Sequence, residues 1–236
     1  MTTATLYLIP VTLGDDIITK AIPPDVVHVT QQLDTFIVEN EKTARRFLSA
    51  IKTNKPVREL TLLTLNEHTK PDELPALISP LLTGNSIGLI SEAGCPSVAD
   101  PGAQVVALAH RHNIRVTPLV GPSSILLALM ASGLNGQQFT FLGYLPCDKE
   151  ARIHKLKEIE QRSRQRKETQ IFIEAPYRNQ HLLEDIIDSC GTETRLCVAV
   201  NLTLENEQVI SRSIYQWRIA PLPDIHKQPT VFLILA

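Results

Sequence analysis

A chain of 236 residues is long for one ordinary domain and comfortable for two small ones. With 43% hydrophobic and 20% charged residues it has apolar material for real cores and no compositional bias toward disorder. The formal net charge of −2 excludes a surface that coats nucleic acid along its whole extent, while leaving room for a local basic patch.

Thr5–Ile9 reads as a short buried strand stopped by Pro10. Asn40 has the chemistry of a helix N-cap, and Ala44, Phe47, Leu48 and Ile51 follow it at helical spacing. Residues 60–65 and 86–90 are the next strands, with a proline-bounded helix over 72–82 between them. Segment 91–102 carries two glycines and two prolines and is a loop. A helix over Ala103–Arg111 and a strand over 114–117 follow. Gly121-Pro122-Ser123-Ser124 then opens an apolar helix through Met130, with Pro122 in its first turn.

The second half has a different texture. A strand over 139–142 runs into Gly143-Tyr144-Leu145-Pro146, and a charged helix spans 148–166. Thr169–Ile173 is a strand, and 178–189 a helix with Leu182, Leu183, Ile186 and Ile187 inward. Residues 195–201, 208–215 and Thr230–Leu235 are three more strands, the first two neighbours. Alternating strands and helices predict an α/β protein of two domains, 1–118 and 119–236, divided at the turn near Leu119.

Cys95, Cys147, Cys190 and Cys197 form no C-x-x-C pair, and no histidine cluster has ligand spacing, so no metal site is expected. Without a signal peptide they read as reduced thiols in a cytoplasm. No apolar run approaches the roughly 18 residues of a membrane span. The absence of G-x-G-x-x-G, a P-loop and G-x-S-x-G removes the common nucleotide-binding and hydrolase readings.

Segment 91–102, Ser-Glu-Ala-Gly-Cys-Pro-Ser-Val-Ala-Asp-Pro-Gly, follows a strand and precedes a helix, the position where parallel α/β sheets hold ligands. Gly94 would let backbone approach a ligand closely. From the residues alone it reads equally as a ligand loop or a turn. Ser123 and Ser124 offer hydroxyls at a helix start, either for a ligand or as a cap. Glu174 ends a strand with Arg178 four residues on, as a local salt bridge or a cleft pair. His68 follows a strand toward the same edge, or simply bonds within its loop. Lys149, Arg152, Lys155, Lys157, Arg162, Arg164, Arg166 and Lys167 interleave with glutamates, so a solvated helix face outweighs a phosphate patch.

In this order the motifs resemble the tetrapyrrole methylase superfamily, and within it the small-subunit ribosomal RNA (cytidine 2′-O) methyltransferases. The resemblance rests on Leu6-Tyr-Leu-Ile-Pro10, segment 91–102, Pro118-Leu-Val-Gly-Pro-Ser-Ser124, Ala131-Ser-Gly-Leu134 and Phe141-Leu-Gly-Tyr-Leu-Pro146. Glu174-Ala-Pro-Tyr-Arg178, Leu202-Thr-Leu-Glu205 and Pro229-Thr-Val-Phe-Leu233 complete it.

That resemblance implies two α/β domains with S-adenosylmethionine in the cleft between them, in a cytoplasmic homodimer. By position it implies cofactor contacts from Ser91, Glu92, Ala93, Gly94, Ser123 and Ser124, and from Asn201, Leu202, Pro229 and Thr230. The implied activity is methyl transfer to a ribosomal RNA ribose, with the small ribosomal subunit as partner. A tetrapyrrole-like small-molecule acceptor, or cofactor binding without turnover, are the alternatives. An alcohol acceptor calls for a general base. Glu174, oriented by Arg178, stands first, with Glu92 and His68 behind.

The departures fall mainly on the acceptor side. The family's T-P-I-G-N-L-x-D loop reads Pro10-Val-Thr-Leu-Gly-Asp-Asp16, and its A-E-D-T-R segment reads Val38-Glu39-Asn40-Glu41, with Arg45-Arg46 only later. Its R-E-L-T stretch reads Val200-Asn201-Leu202-Thr203, and the chain stops at Ala236 without the family's basic extension. Cofactor binding is expected to persist while the acceptor differs.

Overall fold

The computed structural model describes residues 4–14 and 17–236; Asp15 and Asp16 of the first loop lie outside them. The chain divides into two compact units, Met1–Ser123 and Ser124–Ala236. The division falls within the second Gly-Pro loop rather than at Leu119.

The first unit runs β1 (Thr5–Ile9), α1 (Ile18–Ala21), α2 (Pro24–Gln31), β2 (Thr35–Val38), α3 (Glu41–Ala50) and β3 (Thr61–Thr64). It continues through α4 (Leu74–Leu77), α5 (Ser79–Leu82), β4 (Ile87–Ile90), α6 (Ala103–Arg111) and β5 (Arg115–Pro118). Its strands form one parallel sheet in the order β3-β2-β4-β1-β5. Alternation along each strand divides the core between the two sheet faces. Ile9, Phe36, Val38 and Ile90 pack with Val26 of α2 and Ala44, Phe47 and Leu48 of α3. Leu6, Ile37, Ile87 and Leu89 pack with Leu77, Ile78, Leu81, Val105 and Ala109 of α4 to α6.

As expected, Asn40 caps α3: its Oδ1 accepts from the N–H groups of Lys42 and Thr43. The helix predicted over 72–82 is instead two short ones, each with a proline near its start, because proline cannot supply an interior helical N–H. Neither α2 nor β2 is announced by the sequence. The β-branched Val26, Val27, Val29 and Thr30 of α2 are weak helix formers, held helical by their place over the sheet.

The second unit runs α7 (Ser124–Ser132), β6 (Phe139–Tyr144), α8 (Lys149–Arg166), β7 (Thr169–Ile173), α9 (Asn179–Ser189) and β8 (Arg195–Val200). It ends with β9 (Gln208–Ser213), α10 (Ile214–Ile219) and β10 (Thr230–Leu235). The sheet order is β6-β7-β10-β8-β9, parallel only between β6 and β7. Helix α7 begins at Ser124, so Pro122 precedes the helix rather than occupying its first turn. The strand expected to reach 215 stops at Ser213, whose capping box with Gln216 starts α10. Trp217 of α10 is fully buried and donates its indole N–H to the Leu196 carbonyl at 3.0 Å. A buried ion pair clamps α8 to α9. Arg152 donates from Nε and Nη2 to Asp185 Oδ2 at 2.8 and 2.6 Å, and from Nη1 to the Cys147 carbonyl at 2.7 Å.

Candidate functional site

Because the first sheet is wholly parallel, the carboxyl ends of its strands share one edge. Segment 91–102 leaves β4 there and is tied down on several sides. The Val11 N–H donates to the Gly94 carbonyl at 2.9 Å, joining the loop to the chain leaving β1. The Cys95 thiol donates to the Pro122 carbonyl at 3.3 Å, joining it to the second Gly-Pro loop. Asp100 organises the far half, its Oδ1 accepting from the N–H groups of Ser97 at 2.7 Å and Gly102 at 2.9 Å.

Three residues of this loop have positive φ: Gly94 at +70°, Ser97 at +67° and Ala99 at +62°. Side-chain-bearing residues enter that region only when their surroundings impose it, and such strain clusters at ligand sites. At Gly94 an added Cβ would lie 3.1 Å from Leu13 Cδ2 and 3.3 Å from the Pro122 carbonyl oxygen. At Gly121 a Cβ would fall 2.2 Å from the Pro10 ring. Both glycines are therefore required where these loops close on each other.

The loop is also acidic. Burial pushes the Asp100 carboxyl above the usual carboxylate range, against its backbone hydrogen bonds. Burial likewise pushes Glu39 up, helped by the charges of Glu92, Asp100 and Glu67. Glu39 leaves the end of β2, and its Oε2 accepts from the Glu92 N–H at 3.3 Å. Sequence reasoning noted Glu39 only as part of an altered motif and assigned it no role. Its partner lies 53 positions away, and only the sheet order brings β2 beside β4.

Beside this loop opens a cavity of about 470 Å³. Val11, Ala44, Phe47 and Ile90 give it apolar surface, Ser91, Glu92 and Ala93 line it from the loop, and Thr43 and Arg46 line it from α3. Of the two adjacent arginines, Arg45 is engaged elsewhere. It meets Glu41 Oε2 at 3.0 Å and does not line the cavity.

The second unit gathers its own cluster where β7 and β8 end and β10 begins, Ile173 facing Val231 and Val200 facing Thr230. The Asn201 N–H donates to the Pro229 carbonyl at 2.9 Å, and Asn201 Nδ2 to Gln228 Oε1 at 2.6 Å. Asn179 Nδ2 and Thr230 Oγ1 both donate to the Gln228 carbonyl, at 2.6 and 2.9 Å. Leu202 is buried. Gln228, the hub of this network, was invisible in the sequence because an isolated glutamine in a loop carries no signal.

Glu174 lies at the same edge with its side chain fully buried. Its Oε1 accepts from Arg178 Nη2 at 2.6 Å and from the Ala175 N–H at 2.7 Å. Glu174 Oε2, Arg178 Nε and Asn179 Oδ1 are buried without a protein hydrogen-bond partner. Buried polar atoms are normally satisfied, so three orphans within six residues of chain fit a polar ligand supplying their partners.

The structure thus brings Glu174, Arg178, Asn201, Leu202, Pro229 and Thr230 to one edge of the second unit, and Ser91, Glu92, Ala93 and Gly94 to one loop of the first. Ser123 and Ser124, both half-buried, flank the division between the units. His68 joins neither group. Its side chain is 84% exposed, its imidazole lies 3.6 Å from Glu67, and its N–H donates to Asn66 Oδ1.

The cations of α8 are largely occupied. Lys155 pairs with Glu158, Arg162 with Glu168, Arg164 with Glu160, and Lys149 and Arg152 with Asp185. Among the described residues no group of His, Cys, Asp and Glu is placed to hold a metal, and no helix is long and apolar enough to cross a membrane.

A parallel sheet presenting a strained, stapled loop at its carboxyl edge, followed by a mixed sheet, defines a two-unit α/β protein of ligand-binding design. A crystal structure of diphthine synthase shares this fold, with a TM-score of 0.68 at 14% identity, covering 99% of this chain and 90% of that one. Residues 5–217 match the model of the tetrapyrrole (corrin/porphyrin) methylases, and the chain belongs to that family. It is similar to ribosomal RNA small subunit methyltransferase I of Vibrio cholerae, 33% identical over 206 residues, which span 86% of this chain and 67% of that protein. The protein of the same name from Xylella fastidiosa is 30% identical over 234 residues, 99% of this chain and 81% of its own length. The chain is an S-adenosylmethionine-dependent methyltransferase.

Proposed function

We propose that this protein methylates a ribose hydroxyl of ribosomal RNA in the small subunit, as a cytoplasmic homodimer. The observation that carries the acceptor is the similarity, over 86% and 99% of the chain, to proteins named for that substrate. Helix α7 supports self-association, since Leu126 and Met130 are 52% and 79% exposed on an otherwise apolar helix. Four free cysteines suit a reducing compartment.

The cofactor supplies an already activated methyl group on a sulfonium, so the chain's own work is alignment, worth up to roughly 7–11 kcal/mol in good model systems. In this reading residues 91–94 bind it through close-approaching backbone, with Ser123 and Ser124 adding hydroxyls. Asn201, Leu202, Pro229 and Thr230 hold it from the second unit. The orphaned acceptors Glu174 Oε2 and Asn179 Oδ1 fit a donor-rich ligand there.

Glu174 takes the acceptor proton on Oε2, and Arg178 positions it through Oε1. His68 has no part, since a solvated loop imidazole has nothing to hold its orientation. A second reading, a small-molecule acceptor, draws support from the pairing of the α8 cations with carboxylates.

The test is calorimetric titration with S-adenosylmethionine, with Gly94→Trp alongside, followed by transfer of labelled methyl to unmodified small ribosomal subunits. Saturable binding lost in the variant, and a new alkali-resistant ribose linkage, are expected. Transfer to tetrapyrroles but not to subunits would overturn the acceptor. Absence of cofactor binding by the folded protein, with acceptor present, would overturn the site.

A further inference from the structure

We propose that the cavity beside residues 91–93 is the acceptor subsite and takes one unstacked nucleotide of single-stranded RNA, its base on the apolar surface and its phosphate at Arg46. The inference rests on the reading above for where the methyl donor binds. The loop assigned to the cofactor also lines this cavity, so a group held here lies next to the donor.

Size, surface and charge agree on the occupant. At about 470 Å³ the cavity falls in the range of small-ligand pockets, roughly 300–1,000 Å³. Val11, Ala44, Phe47 and Ile90 offer a planar base the apolar contact it loses on leaving the stack. Arg46 brings a planar guanidinium, the group that meets phosphate oxygens in pairs. Thr43 lies in the first turn of α3, where the helix dipole favours negative charge.

Glu92 would repel a bare anion, yet it suits a nucleotide. Its ionised carboxylate only accepts hydrogen bonds, so it favours bases carrying an exocyclic amino group over uracil. Sequence-specific readers of RNA commonly take bases splayed out of the stack, and ribose chemistry beside a protein loop has the same steric need.

The test uses methyl-labelled protein and follows the Val11, Ala44 and Ile90 signals during titration with cytidine 5′-monophosphate, cytidine and uridine 5′-monophosphate. Saturable shifts of these methyls are expected. Cytidine should bind about tenfold more weakly than its monophosphate, and uridine monophosphate should also be weaker. Arg46→Gln should abolish the advantage of the phosphate. Arg58→Gln, which removes the same charge from an exposed position outside the cavity, should keep it.

Unmoved methyls, equal binding by Arg46→Gln, or displacement of the nucleotide by S-adenosylhomocysteine would overturn the proposal, the last by making this the cofactor's own pocket. Methylation of ribosomal subunits is measured in parallel. A nucleotide in the cavity without subunit methylation sinks the ribosomal acceptor and leaves the subsite. Subunit methylation with an empty cavity does the reverse.

Discussion

Gly94 is where backbone strain and function separate most cleanly. Its φ of +70° is a left-handed conformation, which costs an ordinary L-residue roughly 1–2 kcal/mol. In Gly94→Ala the new methyl meets Leu13 Cδ2 at 3.1 Å and the Pro122 carbonyl oxygen at 3.3 Å. The leucine tip can turn away; the carbonyl, part of a loop tied back through Cys95, yields less. The conformational term therefore dominates, and about 1–2 kcal/mol should lower Tm by roughly 2–8 °C for a chain of this size. Gly94→Asn is the informative companion, because asparagine tolerates the left-handed region. It should lose less stability than alanine while placing more bulk where the cofactor approaches.

Thermal denaturation and calorimetric titration with S-adenosylmethionine on both variants give the comparison. Asparagine should be the more stable of the two and yet bind at least about tenfold more weakly than wild type, a loss of about 1.4 kcal/mol. An alanine variant with unchanged Tm would refute the strain argument. Wild-type affinity in both variants would refute close backbone approach at this loop.

Four further outcomes are expected. Arg152→Ala leaves Asp185 buried without its partner and should destabilise the second unit by about 3–5 kcal/mol, read by urea denaturation; adding Asp185→Ala should cost much less than a second such loss. Glu39 has its carboxyl raised by burial, so the folded chain favours the protonated form. That contribution is complete in acid and is lost as pH rises through the raised value. Glu39→Gln keeps an acceptor for the Glu92 N–H, so its Tm advantage over wild type should grow from about pH 4 to about pH 7, and an advantage that shrinks would contradict the argument. Glu174→Gln should lower kcat by about 10²–10⁴ and flatten the acidic limb of the pH–rate profile; an unaltered profile would remove Glu174 from proton transfer. Among the thiols, exposed Cys147 should react first with a disulfide reagent near pH 8. Burial pushes Cys190 up to about 12 and Cys197 up to about 11, so these two should stay protected until the second unit unfolds.

Local chemistry made much of this protein legible before any coordinates. Asn40 and Asp148 announce α3 and α8 because an N-cap satisfies backbone donors within its own turn. The Gly-Pro punctuation of residues 91–102 and 121–124 marks both loops for the same local reason. Elements whose residues oppose their own conformation stayed hidden, such as the valine-rich α2, which only its place over the sheet keeps helical.

The candidate site divides along the same line. Gly94, Glu174 and Arg178 stand in motifs a reader can find. Glu39, Arg46 and Gln228 gain their meaning from partners far away in the chain, through Glu92, the cavity wall and Asn201. Sequence by itself determined the elements, the family and the loop that approaches a ligand, since these depend on neighbours along the backbone. The tertiary structure alone decided which carboxylate lies against the loop, which of two adjacent arginines lines the cavity and which buried atoms lack a partner. Strand order and burial set those relations, and neither is a property of any local stretch of chain.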